Sequence, residues 1–230
     1  MDTIQQRLDQ VLQQIRDAEK TYKRASGSVK LLAVSKTWPL EDIVNAAKAG
    51  QTFFGENYLQ EAIDKIDACL LKLEWHFIGH IQSNKSRDIA KRFDWVHSVD
   101  SFKLARRLSE QRPNNLAPLN ICLQVNISAE PSKSGLLPDE ALSLARQLLD
   151  LPNIKLRGLM AIPAPSTDFN QQRATFSRVR ALQQNLIEQG MVLDTLSMGM
   201  SKDMEAAIAE GATIVRVGTA IFGQRQPKQG

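Results

Sequence analysis

The sequence predicts an α/β protein, a (β/α)8 TIM-type barrel with an extra N-terminal helix. Short apolar runs recur eight times along the 230 residues, and helical patterns fill the intervals between them. Several runs are apolar at almost every position, the pattern of parallel strands covered on both faces. The G-x-G-x-x-G turn of a dinucleotide-binding open sheet does not follow the first run, which favours the closed barrel.

Within residues 1–25, Ile4, Leu8, Val11, Leu12, Ile15 and Ala18 recur at helical spacing opposite a Gln-rich face. This is the extra helix. A strand over 29–35 ends at Lys36, and after Thr37-Trp38-Pro39 a helical segment runs to about residue 49. Further strands are expected at 52–57, 75–80, 95–100, 121–127, 156–162, 195–201 and 214–222. Helices are expected at 61–71, 103–111, 140–149, 172–189 and 203–210. Residues 164–168, between an apolar strand and a helix, read as a βα loop. No linker divides the chain, so 1–230 is expected to be a single domain.

Composition narrows the class. A hydrophobic content of 43% suits a globular core, and no run approaches the roughly 18 to 20 apolar residues of a membrane span. The N-terminus lacks a basic-then-apolar secretory signal, so a cytoplasmic location is expected and a membrane partner is not. The net charge of +4 is spread among 25 acidic residues and forms no basic block. Nucleic acid is therefore not an expected partner, and the basic residues Lys85, Arg87, Lys91 and Arg92 read as the solvated face of one helix. Cys69 and Cys122 are far apart in sequence and read as reduced packing residues. His76 and His80 fall on one face of a strand but about 13 Å apart, too far to share a metal ion, and His97 reads as packing or surface.

In a barrel of this class the site lies at the C-terminal strand ends. Alternation puts Leu32, Val34 and Lys36 on one face of the first strand, so Lys36 is expected at the mouth above apolar side chains. Partial burial there favours the neutral amine, the form that attacks an aldehyde. Spacing alone leaves open that Lys36 is simply a solvated lysine. The stretch from Ser197 to Asp203 and the stretch from Arg216 to Ala220 follow strands seven and eight, where barrels often cradle a phosphate. Helix capping by Ser201 and a tight turn at Gly218 are the ordinary alternatives. Arg216 interrupts the apolar Ile214, Val215 and Val217, and a charge in such a strand needs a partner. Its guanidinium suits donation to a pyridine nitrogen without proton transfer.

Seven segments carry a family resemblance: 33–37 (AVSKT), 54–58 (FGENY), 75–79 (WHFIG), 82–85 (QSNK), 157–160 (RGLM), 199–207 (GMSKDMEAA) and 216–223 (RVGTAIFG). Together they resemble the pyridoxal phosphate homeostasis proteins, single-domain relatives of the alanine racemase barrel. The resemblance implies a pyridoxal 5′-phosphate (PLP) binding protein of cellular vitamin B6 homeostasis. It implies a Schiff base on Lys36, phosphate contacts from Ser201, Gly218 and Thr219, Arg216 at the pyridine nitrogen, and Asn57 and Met200 lining the cofactor. Partners implied are PLP and, if PLP is handed over by contact, apo forms of PLP-dependent enzymes; a monomer is expected. Trp38 departs from a second lysine frequent in the family, and His80 from a frequent proline. Lys133 matches another recurrent lysine.

Efficient racemisation needs an acid and a base on opposite faces of the substrate carbon. The racemase relatives supply a tyrosine from an added β domain, whereas the tyrosines here are Tyr22 and Tyr58. No catalytic residue is assigned on this reading, and little or no racemase activity is expected; a racemase or other slow PLP enzyme is the alternative.

Overall fold

The computed structural model describes residues 2–130 and 133–224. The eight strands are β1 (Lys30–Val34), β2 (Phe53–Glu56), β3 (Glu74–Phe77), β4 (Trp95–Val99), β5 (Leu119–Val125), β6 (Ile154–Ala161), β7 (Thr195–Ser197) and β8 (Ile214–Val217). They close in sequence order into a parallel barrel, with β1 paired to both β2 and β8. The helices are α1 (Ile4–Thr21), α2 (Leu40–Lys48), α3 (Leu59–Ala68), α4 (Ser86–Arg92), α5 (Phe102–Gln111), α6 (Ala141–Leu148), α7 (Phe169–Glu188), α8 (Met204–Ala209) and α9 (Thr219–Phe222). The (β/α)8 expectation and its extra N-terminal helix both hold.

The extra helix begins in a capping box: Gln6 N donates to Thr3 Oγ1 at 3.2 Å and Thr3 N to Gln6 Oε1 at 2.8 Å. Its buried stripe of Leu8, Val11, Ile15 and Ala18 packs on α8 and α9, so the first helix closes over the last units of the chain. A broad apolar layer fills the space between strands and helices. The 162–168 loop ends where Asp168 caps α7 by accepting from Gln171 N at 2.8 Å. No described helix is long and apolar enough to cross a membrane.

Three strand ends fall three or more residues short of the sequence pattern. Strand β8 ends at Val217 because the chain turns at Gly218, and Ile221 and Phe222 belong to the short α9 instead. Strand β7 ends at Ser197; beyond it Gly199 takes φ +93°, a left-handed turn that favours glycine. Strand β3 ends at Phe77, so His80 does not share a strand face with His76: it is exposed while His76 is buried. The basic stretch also divides, Lys85 lying in a 3-10 turn before α4 and Arg92 pairing with Asp67 and Asp88.

The barrel interior departs from the branched apolar layers usual in this fold. Arg216 reaches across it to β6 and β7, so its register partner Leu32 also faces inward, as do Lys30 and Ile214 two residues earlier. Apolar filling is supplied by Trp95, Cys122 and Met160, with burial pushing the Cys122 thiol up to about 12. Among them stand the polar side chains of Glu74, His76, His97, Ser197 and Arg216.

Candidate functional site

At the C-terminal mouth, β1 passes into the loop that carries Lys36. The extended chain continues through Ser35, whose N–H bonds Gly55 O at 3.0 Å. The Ser35 hydroxyl turns to the helical layer and donates to Glu56 Oε1 at 2.6 Å, so alternation places the half-buried Lys36 on the axial side. Thr37 follows at φ +70°, strained for a β-branched residue.

That strain is held by neighbours on α3. Lys65 donates to Ser35 O at 2.9 Å and to Glu56 Oε1 at 2.8 Å, and also bonds Glu61. Glu61 Oε1 in turn accepts from Thr37 N at 2.5 Å. The residues on both sides of Lys36 are thus tied to one buried ion-pair cluster. Burial raises the Glu56 carboxyl, with Lys65 opposing. Trp38, next in the loop, stacks on Phe222 with ring centroids 5.9 Å apart, joining the first βα loop to the last helix.

Arg216 is 4% exposed, and its head lies at the ends of β6 and β7. Nη1 donates to Ser197 O at 2.5 Å and to Ser197 Oγ at 2.8 Å, and Nη2 donates to Ala161 O at 2.9 Å. Its hydrogen-bond partners among the described residues are therefore neutral oxygens, and the acidic group whose charge acts on it is Asp203. Three of its five N–H donors are committed. Burial brings the guanidinium down to about 10, which leaves it protonated at neutral pH.

The other expected site residues come to the same end of the barrel. Asn57 follows β2 directly, and its Oδ1 is buried without a hydrogen-bond partner. Met200 and Ser201 are exposed in the turn after β7, where Met200 N donates to Asp203 Oδ1 at 2.5 Å. The residue before α8 is Asp203, so Ser201 is not its helix cap. Gly218 follows β8, and a Cβ there would stand 3.0 Å from Val34 O, so glycine lets the chain leaving β8 approach β1. Thr219, exposed, starts α9, where the first amides lack intrahelical acceptors. Lys133, in the loop after β5, pairs with Glu130 at 3.0 Å.

Beneath Arg216 the interior joins residues that the sequence did not single out together. Ser197 Oγ lies 2.8 Å from His97 Nδ1, His97 Nε2 lies 2.9 Å from His76 Nδ1, and His76 Nε2 lies 3.0 Å from Glu74 Oε1. His97 is fully buried in this chain and not on the surface. The chain ends at the N-terminal floor, where a cavity of about 230 Å³ is lined by Glu74, His76, Trp95, Lys30, Arg157 and Asp194. No group of three or more metal-ligating side chains occurs among the described residues.

This fold and mouth define a barrel of the alanine racemase type: the family model for the alanine racemase N-terminal domain matches residues 7–226. The pyridoxal phosphate homeostasis protein of Vibrio cholerae is 53% identical over 230 residues, covering 98% of both chains. That of Pseudomonas aeruginosa is 55% identical over 226 residues, covering 98% of this chain and 97% of its own. The structure of PipY from Synechococcus elongatus with PLP bound is 38% identical, with a TM-score of 0.83, covering 96% of this chain and all of that one. The chain belongs to the pyridoxal phosphate homeostasis protein family.

Proposed function

We propose that this chain binds PLP at the mouth of its barrel, held covalently through Lys36, and serves PLP homeostasis in the cytoplasm. The observation that carries this reading is Arg216, a buried guanidinium whose hydrogen bonds among the described residues go to neutral oxygens, with donors to spare and the Asp203 carboxyl facing it, at the barrel end that carries Lys36. Such a group calls for an acceptor-bearing ligand. The relative from Synechococcus, whose structure is described with PLP bound, supports the identity of that ligand.

The residues present fit the group. PLP supplies an aldehyde that a lysine amine can capture and a ring that withdraws electrons. Lys36 would provide the amine, on a loop fixed from both sides by the Lys65 cluster. Ser201, Gly218 and Thr219 would hold the phosphate, with the hydroxyls and first α9 amides as donors. Asn57 and Met200 would line the ring, the unpartnered Asn57 Oδ1 gaining a donor. Arg216 would donate to the pyridine nitrogen and keep its own proton. A ring left unprotonated is a weaker electron sink, which suits holding and releasing the cofactor better than rapid turnover on it.

The test is a titration of wild type and Lys36→Ala with PLP, followed by absorbance. The expected result is saturation at one PLP per chain with a visible band in wild type, and no such band in the variant. Indistinguishable titrations would contradict the reading. Mixing loaded protein with an apo PLP-dependent enzyme and following recovery of that enzyme's activity then tests delivery.

A further inference from the structure

With Glu74 ionised and both rings neutral, the hydrogen-bond chain under Arg216 has only one consistent direction, fixed from the Glu74 end. A guanidinium can only donate, and an ionised carboxylate can only accept. Arg216 Nη1 donates to Ser197 Oγ, leaving the serine proton for His97 Nδ1. His97 must then carry its proton on Nε2 and donate to His76 Nδ1. His76 likewise carries its proton on Nε2 and donates to Glu74 Oε1. Both rings hold the same tautomer, and each donor points from the mouth to the floor.

We propose that Glu74, His76, His97 and Ser197 are positioning residues that orient Arg216 from the barrel floor, so that protonation at the floor cavity is transmitted to the ligand site at the mouth. The proposal rests on the PLP reading only for the identity of that ligand.

Charge and burial support the assignment. Burial holds both imidazoles below the usual range, His97 well below it with His76 and Arg216 beside it, so both rings are neutral at pH 7. Burial alone would raise the Glu74 carboxyl, but the His76 bond and the Lys30 charge outweigh it and bring it lower. The other charged groups facing this end are Asp94, before β4, and the Arg157–Asp194 pair, which is closed on itself at 2.6 Å. At the far end, Arg216 faces the Asp203 carboxyl, itself raised by burial, and the neutral Cys122 thiol.

Adding one proton at Glu74 reverses the chain without charging either ring. The Glu74 hydroxyl would donate to His76 Nε2, His76 Nδ1 to His97 Nε2, and His97 Nδ1 to Ser197 Oγ. Ser197 would then accept from both His97 and Arg216, and its own proton would need a new acceptor. The contact that orients Arg216 thus differs between the two states. This follows from geometry that spans the barrel, since a change at the floor cavity reaches the mouth through four side chains.

Two measurements test it. The first is long-range 15N–1H correlation of the histidine rings in the protein without PLP at pH 7. Protons on Nε2 of both His76 and His97 are expected; a proton on Nδ1 of either, or a charged ring, overturns the proposal whether or not PLP binds. The second follows the absorbance of bound PLP against pH in wild type, Glu74→Gln and Ser197→Ala. A step in wild type that both variants lose is expected. No step in wild type, or the same step in the variants, overturns the link. Failure of PLP binding itself would instead count against the ligand assignment, and the tautomers would then decide this inference alone.

Discussion

Lys65 Nζ donates to the carbonyl oxygen of Ser35 at 2.9 Å, holding the peptide that leads into Lys36. The same ammonium pairs with the fully buried Glu56. Removing it strands a buried carboxylate and frees the loop together. Lys65→Met is expected to cost about 3 to 5 kcal/mol, the scale of a broken buried pair. Urea unfolding measures this, and Lys65→Met with Glu56→Gln should recover part of the loss. An unchanged urea midpoint in the single variant would show that the cluster does not hold the loop.

Acid should destabilise the protein through its interior histidines. Both rings are neutral when folded, with values below the ordinary 6.5 that applies when unfolded. Below 6.5 the unfolded chain binds protons that the folded chain refuses, so stability is complete above that pH and falls as pH drops towards the folded values. The full slope is about 1.4 kcal/mol per pH unit for each ring. His97→Gln should remove one ring's share of that slope in urea midpoints measured on both sides of neutrality. Glu56, raised by burial, contributes with the opposite sign but alike in both proteins, so the difference isolates His97.

Two glycines should separate fold from site. A Cβ at Gly158 would fall 1.8 Å from Thr195 O, a collision between the backbones of β6 and β7. Gly158→Ala is expected to cost at least about 3 kcal/mol. At Gly218 the nearest atom, Val34 O, is 3.0 Å away, so Gly218→Ala should cost less stability than Gly158→Ala while weakening PLP binding. Thermal unfolding with and without PLP distinguishes the two.

Thr219 offers a test of the phosphate assignment. If its hydroxyl and amide hold the phosphate, Thr219→Ala should lose a hydrogen bond to a charged group, about 1.5 to 3 kcal/mol or roughly tenfold or more in affinity. Pyridoxal, which lacks the phosphate, should bind wild type and variant alike. An equal loss for both ligands would place the phosphate elsewhere.

The eight strands were legible because each is a short apolar run bounded by polar turns, and the mouth residues because each follows such a run. Alternation marked Lys36, and a charge within Ile214, Val215 and Val217 marked Arg216. The apolar pattern overextends β8 because Ile221 and Phe222 are as apolar in α9 as they would be in a strand. The interior chain was not legible as a unit: Ser197 lies 100 residues from His97, and only barrel closure brings them together. Its members still carried the signal that exposed Arg216, since Glu74, His76 and His97 are polar residues at alternate positions of strands. Lys65 gave only an i,i+4 spacing with Glu61, the usual mark of a solvated helix face.

The most direct test of the central claim is to load the protein with PLP, reduce it with borohydride, digest it and locate the modified lysine by mass spectrometry. The account predicts a single stoichiometric adduct on Lys36, absent when Lys36→Ala is treated in the same way. An adduct on Lys133 or another lysine, with Lys36 unmodified, would contradict it.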